Sequence, residues 1–191
     1  MKKKTAKTAP APPKVRLATM WLSGCSGCHM SFLDLDEKLL ELVQKAEIVF
    51  SPIVDIKVRD MPQVDIALVE GCVNNTDQEH ELKMMRERAK FLVALGDCAV
   101  TGNVPSLRNQ FAVRDCLGRA YEQTESTKVA CIPNDPVVPK LLPKAHPLQE
   151  IVKVDLHIPG CPPDADCIWY ALSELLAGRI PQFNEKNMRY D

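Results

Sequence analysis

No charge of one sign dominates this sequence of 191 residues, in which 24 Lys and Arg stand against 25 Asp and Glu for a net charge of −1. So balanced a chain offers no general attraction to nucleic acid or to an anionic membrane. Long apolar runs are missing as well. None approaches the roughly 18 residues that a spanning helix needs, so no membrane span is expected. Residues 1–14, MKKKTAKTAPAPPK, have five lysines and three prolines but neither the apolar stretch of a secretory signal nor a twin arginine. They read as a basic, Pro-rich tail without fixed structure, and the protein as cytoplasmic. Internal repeats are also lacking.

What the sequence does have is cysteine, eight residues of it, in a chain whose 46% apolar and 26% charged content is that of an ordinary globular domain. In a reducing compartment structural disulfides are rare. The thiols are therefore expected to be metal ligands, reactive groups or small buried hydrophobes.

Apolar, β-branched runs at 15–22, 47–50, 64–71, 90–98 and 151–163 predict strands. Between them, a helix is expected after Cys28, with Leu35, Leu39, Leu42 and Val43 on its buried face and Asp34, Asp36 and Glu37 early in it. A second is expected over 75–90, with Leu82, Met85 and Ala89 inward, and mixed helical pattern over 105–128. Five prolines in 133–147 predict an irregular surface loop. The last helix, 164–177, has Asp164 as its cap, Ile168, Leu172, Leu175 and Leu176 on one face, and Gly178 as its stop. Strands alternating with helices imply an α/β fold, a parallel sheet with helices on both faces. Residues 181–191 read as a tail able to dock on a partner.

In such sheets the functional crevice lies beyond the carboxyl ends of the strands. Three cysteine motifs fall there: Cys25-Ser26-Gly27-Cys28, Gly96-Asp97-Cys98 and Pro159-Gly160-Cys161-Pro162-Pro163. The first alone fits a thioredoxin-like dithiol, in which a helix N-terminus lowers one thiol pKa. It also fits half of a zinc site, although structural zinc usually draws on two close C-x-x-C knuckles. A dithiol leaves Cys98 and Cys161 unexplained, whereas a cubane iron–sulfur cluster takes four thiols from three strand ends, and the neighbouring glycines would let backbone amides approach its sulfides. Cys116, Cys131 and Cys167 lack this setting and are expected to be buried small side chains. Cys72, after Glu70-Gly71, lies near the same rim but outside the ligand set.

At these residues the sequence resembles the small subunit of NiFe hydrogenases, in WLSGCSGC (21–28), VEG (69–71), LGDCA (95–99) and PGCPP (159–163), over about residues 15–180. The resemblance implies a flavodoxin-like domain at 15–180 whose Cys25, Cys28, Cys98 and Cys161 bind one 4Fe–4S cluster at the carboxyl ends of the strands. Without a twin-arginine leader or a further cluster domain, the chain is most similar to the one-cluster small subunits of cytoplasmic NAD-reducing, bidirectional hydrogenases. The related complex I subunit has two adjacent cysteines where Cys25 and Cys28 are separated, which makes quinone reduction the poorer match.

The Ni–Fe centre is then expected on a large-subunit partner, and flavin, NAD and further Fe–S clusters on diaphorase subunits. No glycine-rich phosphate loop is left over for a flavin on this chain. Glu70 is a candidate proton relay or loop support. His29 would bond a cluster sulfide, face the partner or simply serve in the first helical turn. Trp21 is expected in core or interface packing, with Asp97 and Thr101 as supports of the cysteine loops.

Overall fold

The structure, a computed structural model, describes residues 13–52 and 56–185. The tail expected at 1–14 lies almost wholly outside them, as do the last six residues of the tail expected at 181–191. Chain order runs β1 (Val15–Trp21), α1 (Gly27–Leu33), α2 (Lys38–Lys45), β2 (Ala46–Phe50), β3 (Val64–Glu70), β4 (Val73–Asn75) and α3 (Thr76–Arg88). It continues through β5 (Ala89–Leu95), α4 (Asp97–Thr101), α5 (Val113–Tyr121), β6 (Leu141–His146), β7 (Leu156–Ile158) and α6 (Ala165–Leu176).

Five strands pair in parallel in the order β2-β1-β3-β5-β7. Counted along the chain, this is the 2-1-3-4-5 order of the doubly wound sheets typified by flavodoxin. Parallel strands covered on both faces need apolar residues on both, which is why these runs barely alternate. Leu17, Ile66, Leu68 and Val93 face one side, where Phe32 of α1, Leu42 of α2 and Ile168 and Leu172 of α6 cover them. Ala18, Met20, Ala67 and Val69 face the other, beneath Leu82 and Met85 of α3 and Ala99 of α4. Asn75 caps α3 by accepting from Gln78 N–H at 3.0 Å, and Asp164 caps α6 by accepting from Asp166 N–H at 2.7 Å.

Several expectations are corrected. The single helix after Cys28 is two, because Leu35 turns into the core and Asp36 takes a φ of +49°, a left-handed conformation that Asp tolerates. Asp34 and Asp36 therefore lie in the break and Glu37 just ahead of α2, while Val43 is 44% exposed. The proline-rich segment 133–147 is not irregular throughout, since it contains β6. Pro143 is tolerated there because, among the described residues, β6 pairs with β4 alone, in a two-stranded ribbon whose register slips between Val73 and Asn75. Arg108 supports the ribbon by donating to Asn74 Oδ1 at 2.6 Å and to the Leu142 carbonyl at 2.9 Å.

The strand expected at 151–163 shrinks to β7. Asp155 pins its start to β5, donating its N–H to the Leu92 carbonyl and accepting the Leu92 N–H on Oδ2, both at 2.9 Å. Over 105–128 the chain makes a 3-10 helix, Val104–Gln110, and then α5. Cys167 is buried and Cys116 half-buried, but Cys131 is exposed. Its neighbours Val129 and Val137 are exposed too, so no apolar cluster forms around that short run.

Candidate metal centre

The parallel ladder aligns the carboxyl ends of β1, β3, β5 and β7 on one rim. A recess of about 370 Å³, counting the space open to solvent, lies there and is lined by Cys25, Cys28, Cys98 and Cys161 together with Glu70 and Asp97. Cys25 sits in the loop after β1, Cys28 in the first turn of α1, Cys98 in the first turn of α4, and Cys161 after β7. The structure thus brings together all four cysteines singled out by position, and leaves Cys116, Cys131 and Cys167 elsewhere. Gly96 has a φ of +83°, and a Cβ on it would lie 2.2 Å from Cys28 Sγ, so only glycine fits between β5 and α4.

Hydrogen bonds hold the loops. Leu22 N–H donates to the Glu70 carbonyl at 2.9 Å, and Ser23 and Cys72 exchange backbone bonds at 2.9 and 3.0 Å, tying the exit of β1 to that of β3. Cys72, a member of this bridge, is fully buried and outside the recess lining. Gln78 is distinguished by no local pattern in the sequence. Its Oε1 accepts from Ser23 Oγ and from Asn74 N–H, both at 2.9 Å, and Ser23 lies 55 residues away in the chain. No short-range signal announces such a partner.

Glu70 is buried at the end of β3, and its Oε2 accepts the His29 N–H at 3.1 Å. Its Oε1 lies 3.1 Å from His29 Nδ1, close enough for an ion pair but not aligned as a hydrogen bond. His29 therefore faces Glu70, with Trp21 packed edge-on against it at 5.3 Å between ring centres. Trp21 itself is 41% exposed and so belongs to the surface, not the core. Thr101 Oγ1 donates to the Asp97 carbonyl within α4 and supports that helix.

The electrostatics are unfavourable to thiolates. Burial first, then the Glu70 carboxylate and the Cys98 and Cys25 sulfurs, push the Cys28 thiol far above its ordinary range. Burial, Cys161, Cys25, Glu70 and Asp97 raise Cys98 likewise. A thioredoxin-like dithiol needs the opposite, a thiolate stabilised at the helix start. No Lys, Arg or His is among the residues lining the recess. Among the described residues, no three His, Cys, Asp or Glu side chains converge tightly enough to hold a single metal ion.

Known proteins share this sequence and fold. Residues 25–175 match the family described as NADH ubiquinone oxidoreductase, 20 Kd subunit. The chain is 40% identical to the NAD-reducing hydrogenase HoxS subunit delta of Cupriavidus necator, over 93% of this chain and 86% of that one. It is 36% identical to one subunit of the F420-non-reducing hydrogenase of Methanothermobacter thermautotrophicus, covering 92% of this chain but only 58% of that subunit's length.

Among solved structures, one chain of an NAD+-reducing NiFe hydrogenase in the H2-reduced state superposes with a TM-score of 0.89 and 44% identity, over 94% of this chain and all of that one. The NiFeSe hydrogenase of Desulfovibrio vulgaris Hildenborough shares the fold alone, at a TM-score of 0.57 and 16% identity over 87% of this chain and 60% of that one. From the family match over most of its length and its identity with these subunits, the chain belongs to the family that the small subunits of NAD-reducing NiFe hydrogenases share with the 20 kDa subunit of NADH–ubiquinone oxidoreductase.

Proposed function

We propose that this chain is the electron-transferring small subunit of an NAD-reducing NiFe hydrogenase, with Cys25, Cys28, Cys98 and Cys161 as the four ligands of one 4Fe–4S cluster. The observation that carries the reading is the convergence of these four sulfurs, from three separate strand ends, on a single glycine-walled recess. The residues suit the group. A polynuclear cluster spreads its cysteine ligands around its corners, so they need not converge on one point as they would for zinc. Its iron also supplies the positive charge that crowded thiolates beside two carboxylates require.

When bound, the cluster supplies one-electron storage and transfer. The chain's own residues do the rest. β1, β3, β5 and β7 align the ligand loops, and Gly96 keeps Cys28 in reach of the Cys98 loop. Glu70 anchors the start of α1 through the His29 amide, and is the candidate for a proton relay at this rim. Cys28 and Cys98 are half-buried and Cys25 and Cys161 exposed, so water and its screening of charge are limited on the inner side of the site alone.

The Ni–Fe centre belongs to a large-subunit partner, and the flavin, NAD and further clusters to diaphorase subunits, as in the NAD-reducing enzymes this chain resembles. Reduction of NAD puts the assembly in the cytoplasm. No described helix is long and apolar enough to cross a membrane.

The test is to purify the complex with its native partners and measure nickel, iron and acid-labile sulfide. Single Cys→Ser variants at the four positions should each lower the iron of the complex by about four atoms per chain. A complex without nickel would sink the hydrogenase reading, and unchanged iron in all four variants would sink the ligand set.

A further inference from the structure

The parallel ladder between β5 and β7 ends with Leu95 opposite Ile158. Beyond it, Gly96 N–H still donates to the Ile158 carbonyl at 2.7 Å, and Asp97 N–H to the Gly160 carbonyl at 2.8 Å. In a continuing ladder the N–H of Gly160 would find a carbonyl of β5, but there the chain turns into α4. The Asp97 side chain takes the carbonyl's place, with Oδ1 2.8 Å from the Gly160 nitrogen. A two-point ring closes between Asp97 and Gly160, each residue directly preceding a cysteine. On its other side, Gly96 rests against Cys28. Three of the four cysteines therefore meet at the Gly96-Asp97 turn.

We propose that Asp97 is a positioning residue whose carboxylate staples the Cys98 loop to the Cys161 loop and so sets the spacing of these two sulfurs for the cluster. The inference rests on the ligand assignment above and goes beyond it, because Asp97 is outside the ligand set and acts through the loops of Cys98 and Cys161. Gly160 is what makes a side chain from across the sheet necessary. Its φ is +135°, and a Cβ on it would stand 2.6 Å from Pro163 Cα, so the position has no side chain with which to hold itself. Its N–H is also committed to Asp97, leaving it unavailable to a cluster sulfide. Without the carboxylate, only the Asp97 N–H bond of the two between Asp97 and Gly160 remains, and Gly160, directly before Cys161, is held at one point instead of two.

The test compares intact complexes carrying Asp97→Ala and Asp97→Asn. Alanine removes the acceptor, whereas asparagine keeps an acceptor oxygen and removes only the charge. Asp97→Ala is expected to lose iron to an external chelator ~10-fold faster than wild type, the usual scale for a residue that orients a metal ligand. It should also shift the g-values of the reduced cluster. Asp97→Asn is expected to match wild type in both. Wild-type behaviour of the alanine complex overturns the proposal, and so does iron loss from the asparagine complex as fast as from the alanine one.

If the alanine complex does not assemble, the asparagine complex decides alone: a wild-type rate of iron loss supports the staple and a fast rate overturns it. Failure of the ligand assignment reads differently. In that case Cys98→Ser and Cys161→Ser would themselves leave the iron content unchanged.

Discussion

Gly96 lies so close to Cys28 that a Cβ added to it would stand 2.2 Å from the Cys28 sulfur. The residue between β5 and α4 thus bears directly on a side chain that lines the recess. Its backbone, at φ +83° and ψ 163°, lies in a region essentially confined to glycine. Gly96→Ala is expected to cost ~1–3 kcal/mol in backbone strain and to push Cys28 out of place. Iron content and the visible absorbance of the purified complex should both fall, as is expected for Cys28→Ser.

A second prediction concerns acid stability. Burial opposes ionisation of Asp155, but the Leu92 N–H and the Arg86 guanidinium, 2.5 Å from Oδ2, outweigh it and hold the carboxyl below its ordinary range. Asp65 is lowered as well, by the Arg16 N–H at 2.8 Å and then by Lys90 at 2.7 Å. A folded-state pKa below the unfolded one gives stability that is fully present above about pH 4 and lost as pH falls through the folded value. Urea midpoints should therefore drop steeply in acid for the wild type and less steeply for Asp155→Asn. Asp155→Ala should cost ~1–3 kcal/mol at neutral pH by leaving the Leu92 N–H without its partner.

The cysteines outside the recess should separate by reactivity. Burial, with Cys98 as the second cause, pushes the Cys72 thiol up to about 11, and its side chain has no solvent access. Cys131 is exposed. Brief iodoacetamide treatment followed by mass spectrometry should find Cys131 alkylated and Cys72 unmodified. Cys72→Ala should leave the iron content at the wild-type value, whereas a loss of iron would place Cys72 in the ligand set.

Leu172 tests whether fold and site are separable. It is 1% exposed on α6, among Leu17, Ile168 and other residues on one face of the sheet. Leu172→Ala should destabilise the protein by ~2–5 kcal/mol, seen as a lower urea midpoint. The g-values of the reduced cluster should stay at their wild-type positions, because no residue of α6 lines the recess.

Where the sequence speaks through local pattern, structure follows it closely. β1 and β3 match their apolar runs within one residue at either end, β5 starts within one residue of its run and stops three short of its end, and the cap at Asp164 depends on a contact two residues away. Glu70 and the four cysteines are marked by their place at strand ends. Discrepancies arise where a distant partner decides. Leu35 leaves the helix after Cys28 for a place in the core, and the ribbon with β4 makes a strand of a proline-rich stretch. Cys131 is apolar in sequence and exposed in space because nothing packs over its segment.

By itself, the sequence determined the stretches that supply the five parallel strands, and that Cys25, Cys28, Cys98 and Cys161 fall in three of the turns beyond them. Periodicity and the backbone limits of glycine and proline act within a few residues, so they are legible there. Only the tertiary structure decided that Cys98 and Cys161, 63 residues apart, face one recess with Cys25 and Cys28, and that Asp97 bridges to Gly160. Parallel pairing sets those distances, since it aligns strand ends however much chain lies between them. A single carboxylate acts where the backbone ladder stops.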